Sequence, residues 1–177
     1  IPQMKKGEEK TLPLYALFSD AVMEVTEGTE VAGQIIVDYN YSGSRIQKKE
    51  SQKIELLYRN AMIWDDDRKA AAFVTARDPA VLLYAKSCLG AIRDSSVRGV
   101  TSDFRQALVL FESLGISGLN YIIDPNSSYA DLSEDQYSLD YLQFPSETLS
   151  YRAGDCDDLS ILYTALLESV GIETAFI

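Results

Sequence analysis

Cys156 is the residue of this 177-residue sequence whose type and surroundings best suit covalent chemistry. It stands in the stretch Gly-Asp-Cys-Asp-Asp at positions 154–158, directly before an apolar stripe with helical spacing. The stripe predicts a helix that begins near Asp155 and ends at Gly171, so Cys156 falls in its first turn. Free backbone N–H groups and the positive end of the helix dipole favour a thiolate there, which suits a nucleophile.

Two features of the sequence work against activation of that thiol. Asp155, Asp157 and Asp158 place negative charge near the sulfur, and like charges disfavour ionisation. A thiol nucleophile also needs a partner base, normally an imidazole within hydrogen-bond reach, and the sequence contains no histidine. The alternative to a nucleophile is a purely structural cysteine, a small buried residue at a helix start. The acidic neighbours of Cys156 argue against deep burial.

The C-terminal stretch GDCDDLSILYTALLESVGIETAFI resembles the nucleophile segment of the bacterial transglutaminase-like superfamily, whose members have a papain-like cysteine fold. The resemblance rests on the Gly-x-Cys-x-Asp core, the Leu-Leu helix, the Gly-Ile turn into a strand, and the FPSETL sequence that precedes them. It covers roughly the last forty residues of the chain well and the stretch back to the helix at Asp78 more loosely. The β-rich residues before Trp64 match the superfamily only in that its members often have a β-domain before the core.

This resemblance implies that Cys156 attacks a carboxamide or peptide carbonyl and forms a thioester, which then passes to an amine or to water. It also implies that the partner His and an orienting Asp or Asn lie beyond Ile177, so that the chain holds a truncated core and is inactive by itself. Asp158 is expected to cap the helix and is not the triad acid. The oxyanion would meet the Cys156 backbone N–H and a second donor, for which Tyr121 and Gln143 are candidates.

Two functions of different classes therefore stay open. The first is a thiol hydrolase, such as a protease or amidase, or an acyltransferase, acting on peptide or protein amides through Cys156. The alternative is a non-catalytic protein-binding module built on the same scaffold. The residues that follow Ile177 in the parent gene would discriminate the two, because a strand with His and another with Asp or Asn would support the enzyme.

The elements before the motif predict an α+β fold with two parts. Residues 1–63 are expected to form an antiparallel β-domain, and residues 64–177 the helical half of a papain-like core. In the first part, Val31–Tyr41 is rich in β-branched and aromatic residues and is followed by a Ser-Gly-Ser turn and a second alternating run, which predicts a hairpin. The segment Leu12–Val25 is a further strand candidate.

Three helices are expected before the motif. One follows Asp65-Asp66-Asp67, whose acidic residues suit a helix start better than a calcium loop. A second begins at the N-cap Asp78 and carries Cys88 on its apolar face, where we expect a buried, inert thiol. A third runs from Thr101 or Ser102 and ends near Gly115. The chain from there to about Tyr151 has the punctuation of a loop.

The composition of the chain limits the classes of partner that it can bind. The net charge of -11 would repel a phosphate backbone, which excludes nucleic acid. No apolar run is long enough to span a bilayer, and the absence of His predicts no metal centre and no cofactor. A lone last strand over 172–177 would leave an unpaired edge, so a swapped copy, another chain or the rest of the parent protein should cover it. Because the chain begins with Ile1, an extracytoplasmic location is favoured if a signal segment was removed, and the compartment otherwise stays open.

Overall fold

The computed structural model describes residues 4–5, 7–92, 98–123 and 139–176. These residues form a mixed α+β structure, which agrees with the predicted fold class at that level. The chain divides into two compact units, Ile1–Arg59 and Asn60–Ile177, whereas the boundary predicted from the sequence follows residue 63. None of the described helices is long and apolar enough to cross a membrane.

The first unit contains the predicted hairpin. Strand β1 (Thr29–Tyr41) pairs antiparallel with strand β2 (Ser44–Leu56) over their full length. The two turn residues have φ of 48° at Ser42 and 83° at Gly43, the combination of a tight turn that matches the twist of the flanking strands. Alternation places apolar side chains of both strands on one face, where Val31, Ile46 and Leu56 are half-buried. Ile35, Val37 and Tyr39 on the same face are exposed.

The strand predicted over Leu12–Val25 is wrong. The described residues of this segment contain a 3-10 helix, Asp20–Glu24, and no strand. Pro13 lacks a backbone N–H, and the side chains of Leu14 and Leu17 are 71% and 97% exposed. The apolar composition of this segment is typical of a strand. In the described residues, however, the segment pairs with no other strand and its large apolar side chains stay exposed.

The predicted helices of the second unit are present. The segment after Asp66 is a 3-10 helix, Asp67–Phe73, and the Asp66 side chain accepts a hydrogen bond from the Arg68 backbone N–H at 3.1 Å. Helix α1 spans Pro79–Gly90 and is capped by Asp78. Helix α2 spans Ser102–Ile116 with Thr101 as its N-cap. The residue that reverses the chain after α2 is Gly118, with φ of 78°, and not the predicted Gly115.

The stretch predicted as a loop up to Tyr151 contains regular structure in its described residues. Helix α3 (Pro145–Tyr151) has Phe144 as its N-cap, a residue type that gives no capping signal in a sequence. The Glu147 carboxylate compensates by accepting a hydrogen bond from the Phe144 backbone N–H at 2.8 Å. Residues 124–138 of the predicted loop lie outside the described residues.

Short strands connect distant parts of this unit. Strand β3 (Ala61–Ile63) pairs antiparallel with β5 (Leu139–Tyr141), and β4 (Asn120–Tyr121) pairs parallel with β6 (Ala153–Gly154). The expected last strand is a second error, because the described residues 172–176 contain no strand. A segment becomes a strand through ladder bonds, and none of the described strands pairs with it.

Helix α4 (Cys156–Ser169) is central to the packing of the second unit. Its buried side chains join those of α1 and α2 in one apolar cluster and reach the 3-10 helix and β5 region in another. The first cluster comprises Val81, Ala85, Leu110, Leu114, Leu162, Ala165 and Leu166, and the second comprises Met62, Ala70, Phe73, Leu142 and Ile161. The start of α4, and with it Cys156, is thus anchored from two sides.

Candidate active site

The Gly-Asp-Cys-Asp-Asp motif forms the N-terminus of helix α4. The Asp155 carboxylate accepts hydrogen bonds from the backbone N–H groups of Asp157 and Asp158 at 3.0 and 3.2 Å. In return, the Asp158 carboxylate accepts one from the Asp155 backbone N–H at 3.4 Å. This reciprocal capping fixes Cys156 as the first helical residue, with its side chain exposed.

Two residues of the motif are explained by packing. The Asp158 side chain is buried, and its Oδ1 accepts a 2.8 Å hydrogen bond from the Gln143 backbone N–H. A Cβ atom at Gly154 would lie 2.7 Å from the Asp158 Cβ, closer than Cβ atoms approach other atoms, and 3.3 Å from the Thr148 Cγ2, which is a tight contact. Glycine at 154 therefore makes room for the buried Asp158 carboxyl, which ties the start of α4 to Gln143, and Asp158 has a structural role.

The electrostatic environment disfavours the Cys156 thiolate. Partial desolvation raises the pKa of the Cys156 thiol, and the carboxylates of Asp157 and Asp155 raise it further. The thiol donates a hydrogen bond to Asp157 Oδ1 at 3.6 Å. Desolvation and the Asp155 charge likewise raise the pKa of Asp157. The helix terminus alone therefore does not activate the sulfur, and the chemistry needs a base.

Tyr121 is brought beside the nucleophile by the parallel pair β4–β6. It lies opposite Gly154 in the ladder, where the Ile122 N–H donates to the Gly154 carbonyl at 2.9 Å. Desolvation raises the pKa of the Tyr121 phenol, and the neighbouring Cys156 and Asp155 raise it further. The raised pKa favours the protonated phenol, which is a hydrogen-bond donor.

Gln143, the other candidate donor, is tied to the site by its backbone. Its N–H bonds Asp158, two residues from Cys156, while its side-chain Oε1 is buried without a hydrogen-bond partner. Of the two candidates, Tyr121 is the one whose side chain is electrostatically coupled to Cys156.

Asp155, Cys156 and Asp157 offer ligand atoms that lie within 4.8 Å of one another, close enough for one cation to touch all three. Consecutive residues of a helix start come this close for geometric reasons. The Asp155 carboxylate is already occupied by two backbone donors, and the thiol is bonded to Asp157. The cluster by itself therefore indicates no metal, and neither does the run Asp65-Asp66-Asp67, where Asp66 pairs with Arg68 and Asp65 with Lys69.

A depression lined in part by Asp157, the residue after Cys156, is not predicted by the sequence. One wall is the α4 strip Asp157, Ser160 and Ile161, and another is Trp64 with the 3-10 helix that follows it. Ser160 lies four residues after Cys156, hence on the same side of the helix. That spacing was the available signal, but Trp64 lies far away in sequence and is placed there only by the fold.

Comparison with protein-family models, with curated proteins and with solved structures gives no match for this chain. The resemblance to the transglutaminase-like superfamily therefore rests on the motif residues themselves.

We expect iodoacetamide to modify Cys156 faster than Cys88 in the native chain. Cys156 is exposed, whereas Cys88 is partly buried against the core cluster of α1, α2 and α4. The labelling rate at Cys156 should rise with pH, with an inflection at a higher pH than for a free thiol. Asp157→Asn should move this inflection to lower pH, because it removes the negative charge that has the largest effect on the sulfur.

Peptide mapping by mass spectrometry after timed labelling at pH 6 to 10 measures both rates, and Asp103→Asn, far along the chain on α2, is the charge-matched control. Both cysteines should react alike in denaturant. Faster labelling of Cys88 in the native chain, or an inflection that Asp157→Asn leaves in place, would contradict this assignment.

Proposed function

We propose that Cys156 is the nucleophile of a transglutaminase-like thiol enzyme that acts on peptide or protein amides. The observation that carries the proposal is an exposed thiol at the first position of helix α4, capped by Asp155, whose neighbour Asp157 lines an open depression. A core cysteine kept for packing would be buried, as thiols commonly are. The motif residues that resemble the superfamily's nucleophile segment support the same role.

The proposed reaction has two steps. The Cys156 sulfur forms a bond to the amide carbon while the C–N bond breaks, and the leaving nitrogen takes a proton, so that ammonia or an amine departs. Water then hydrolyses the thioester, or a second amine takes the acyl group. The first step needs a base to accept the thiol proton and an acid to deliver it to nitrogen, which is the part an imidazole plays. This sequence has no histidine, so the proposed activity requires one from outside these 177 residues.

The negative charge of the tetrahedral intermediate would be met by two donors. One is the Cys156 backbone N–H at the start of α4. For the other we propose the hydroxyl of Tyr121, whose backbone pairs with Gly154 and whose pKa is raised in part by Cys156. A phenol kept protonated retains its hydrogen and so can donate to the oxyanion.

One observation favours a non-catalytic protein-binding module instead. The pKa of Cys156 is raised, whereas an activated nucleophile usually has a lowered one. In such a module the core would serve as a scaffold, and the Cys156 thiol would be dispensable for partner binding.

An activated ester tests the nucleophile within the chain itself. p-Nitrophenyl acetate needs no proton on its leaving group, because p-nitrophenolate departs as an anion. At pH 9 we expect a burst of about one nitrophenolate per chain as the acetyl group is transferred to the Cys156 sulfur, followed by slow turnover.

Cys156→Ala should abolish this burst and Cys88→Ala should leave it intact. Stopped absorbance readings give the amplitude, and peptide mapping locates the acetyl group. A burst of equal size in Cys156→Ala would refute the proposal.

A further inference from the structure

The depression beside Cys156 has a volume of about 590 Å³, which lies within the range of small-molecule sites. It is formed entirely within the second unit. Asp157 belongs both to its wall and to the contacts of the Cys156 thiol, so a single side chain connects the depression with the sulfur. A substrate whose carbonyl reaches Cys156 would therefore have part of its chain within reach of this site.

Part of the wall of the depression is apolar. Ile161 is 1% exposed and belongs to the second core cluster, and Trp64 packs against that cluster. The indole N–H donates a 2.8 Å hydrogen bond to Asp140, which fixes the ring in place. Phe176 contributes a second aromatic side chain. These surfaces suit an aliphatic stem, and the aromatic faces also attract a cation.

The charge of the depression is negative. Asp67 and Asp157 both line it, and Arg68 is the one cation among its lining residues. The Arg68 guanidinium is engaged elsewhere, since it bonds both oxygens of Asp66 at 2.8 and 2.7 Å. That pair lowers the pKa of Asp66 to about 2 and cancels the charge of Arg68 locally. The carboxylates of Asp67 and Asp157 therefore dominate the field that a ligand meets.

We propose that this depression binds the side chain of a Lys or Arg residue that neighbours the scissile or reacting amide in a peptide substrate. The aliphatic stem lies along Trp64 and Ile161, and the cationic head lies between Asp67 and Asp157. The role in substrate selection rests on the proposed function of Cys156, but the binding of the cation does not, because it involves no bond to the sulfur.

The single tryptophan of the chain makes binding directly measurable, since Trp64 itself lines the site. Its fluorescence is followed during titration with Nα-acetyl-lysine amide, Nα-acetyl-arginine amide and the neutral, similarly shaped Nα-acetyl-norleucine amide. We expect a saturable change with both cationic ligands and about tenfold weaker binding of the norleucine derivative. Raising the salt concentration should weaken only the cationic ligands.

Charge-removing variants test which carboxylates are responsible. Asp67→Asn and Asp157→Asn should each weaken the cationic ligands about three- to tenfold and leave norleucine binding unchanged, which also reports that the site is intact. Glu112→Gln, on helix α2 and outside this depression, is the matched control and should change nothing. Cys156→Ala should bind like the parent chain.

Equal affinity for the lysine and norleucine derivatives, no saturable change, or insensitivity to both carboxylate variants would overturn the inference. Butylamine, a free amine without the peptide part, should bind more weakly than Nα-acetyl-lysine amide. Tighter binding of butylamine would show that the ligand is a free amine and not a peptide side chain, and would also overturn the inference. If the chain binds the cationic ligands but shows no acyl transfer at Cys156, only the proposed function is refuted. If it shows acyl transfer but does not bind the cationic ligands, only this inference is refuted.

Discussion

The 177-residue chain is expected to release no measurable ammonia from a glutamine-containing protein and to cleave no peptide. General acid–base assistance is worth ~10² to 10⁴ in rate, and this sequence has no imidazole to supply it. The carboxylates of Asp155 and Asp157 and the desolvation of the sulfur reduce the thiolate fraction further. An amide, unlike an activated ester, also needs a proton on its leaving nitrogen.

The experiment compares three proteins for ammonia release and peptide cleavage: this chain, the complete product of its gene, and that product with Cys156→Ala. If the complete product brings His and an orienting acid to face Cys156, it should turn over, and Cys156→Ala should remove the activity. Amide turnover by the 177-residue chain alone would contradict the requirement for a base. A folded complete product that is inert on every amide tested would favour the binding module.

Replacing Asp158 by alanine is expected to destabilise the second unit by about 2 to 4 kcal/mol, because it leaves the N–H groups of Gln143 and Asp155 without their acceptor in a buried place. Asp157→Ala, at the position before Asp158, should lower the free energy of unfolding by less than about 1 kcal/mol. The Asp157 side chain is half-buried, and its hydrogen bond is to the thiol. Urea unfolding followed by Trp64 fluorescence reports on this unit specifically.

A matched pair of glycine variants examines the same contact from the other side. Gly154→Ala places a Cβ atom against Asp158 and should cost about 1 to 3 kcal/mol. Gly115→Ala, in helix α2 with open space around its added Cβ, should be neutral or slightly stabilising. Equal stability of Asp158→Ala and Asp157→Ala, or of the two glycine variants, would refute the structural role assigned to Asp158.

Local signals predicted the hairpin, helices α1 and α2, and the start of α4. In each case the deciding information lies within a few residues, such as the Ser-Gly turn at 42–43 or the cap provided by Asp78. Where local signals were absent or misleading, prediction failed. Helix α3 begins at Phe144, which carries no capping signal, and Leu12–Val25 has the composition of a strand without a partner for it.

The candidate site was predictable only in part, for the same reason. Cys156 and its capping neighbours are consecutive, so the motif located them. The approach of Tyr121 to the sulfur depends on the parallel pairing of β4 with β6, and the depression depends on Trp64 meeting helix α4. Such contacts join residues that are distant in sequence, and no local pattern encodes them.

Capture of the covalent intermediate decides whether Cys156 is the nucleophile. The complete gene product is mixed with a glutamine-containing peptide, quenched in acid within milliseconds to seconds, and digested for mass spectrometry. We expect the peptide that contains Cys156 to gain the mass of the acyl group, with loss of ammonia, and to lose it on treatment with hydroxylamine, which cleaves thioesters. Amide turnover without a thioester on Cys156, or turnover that survives Cys156→Ala, would show that the reaction proceeds without this residue as nucleophile.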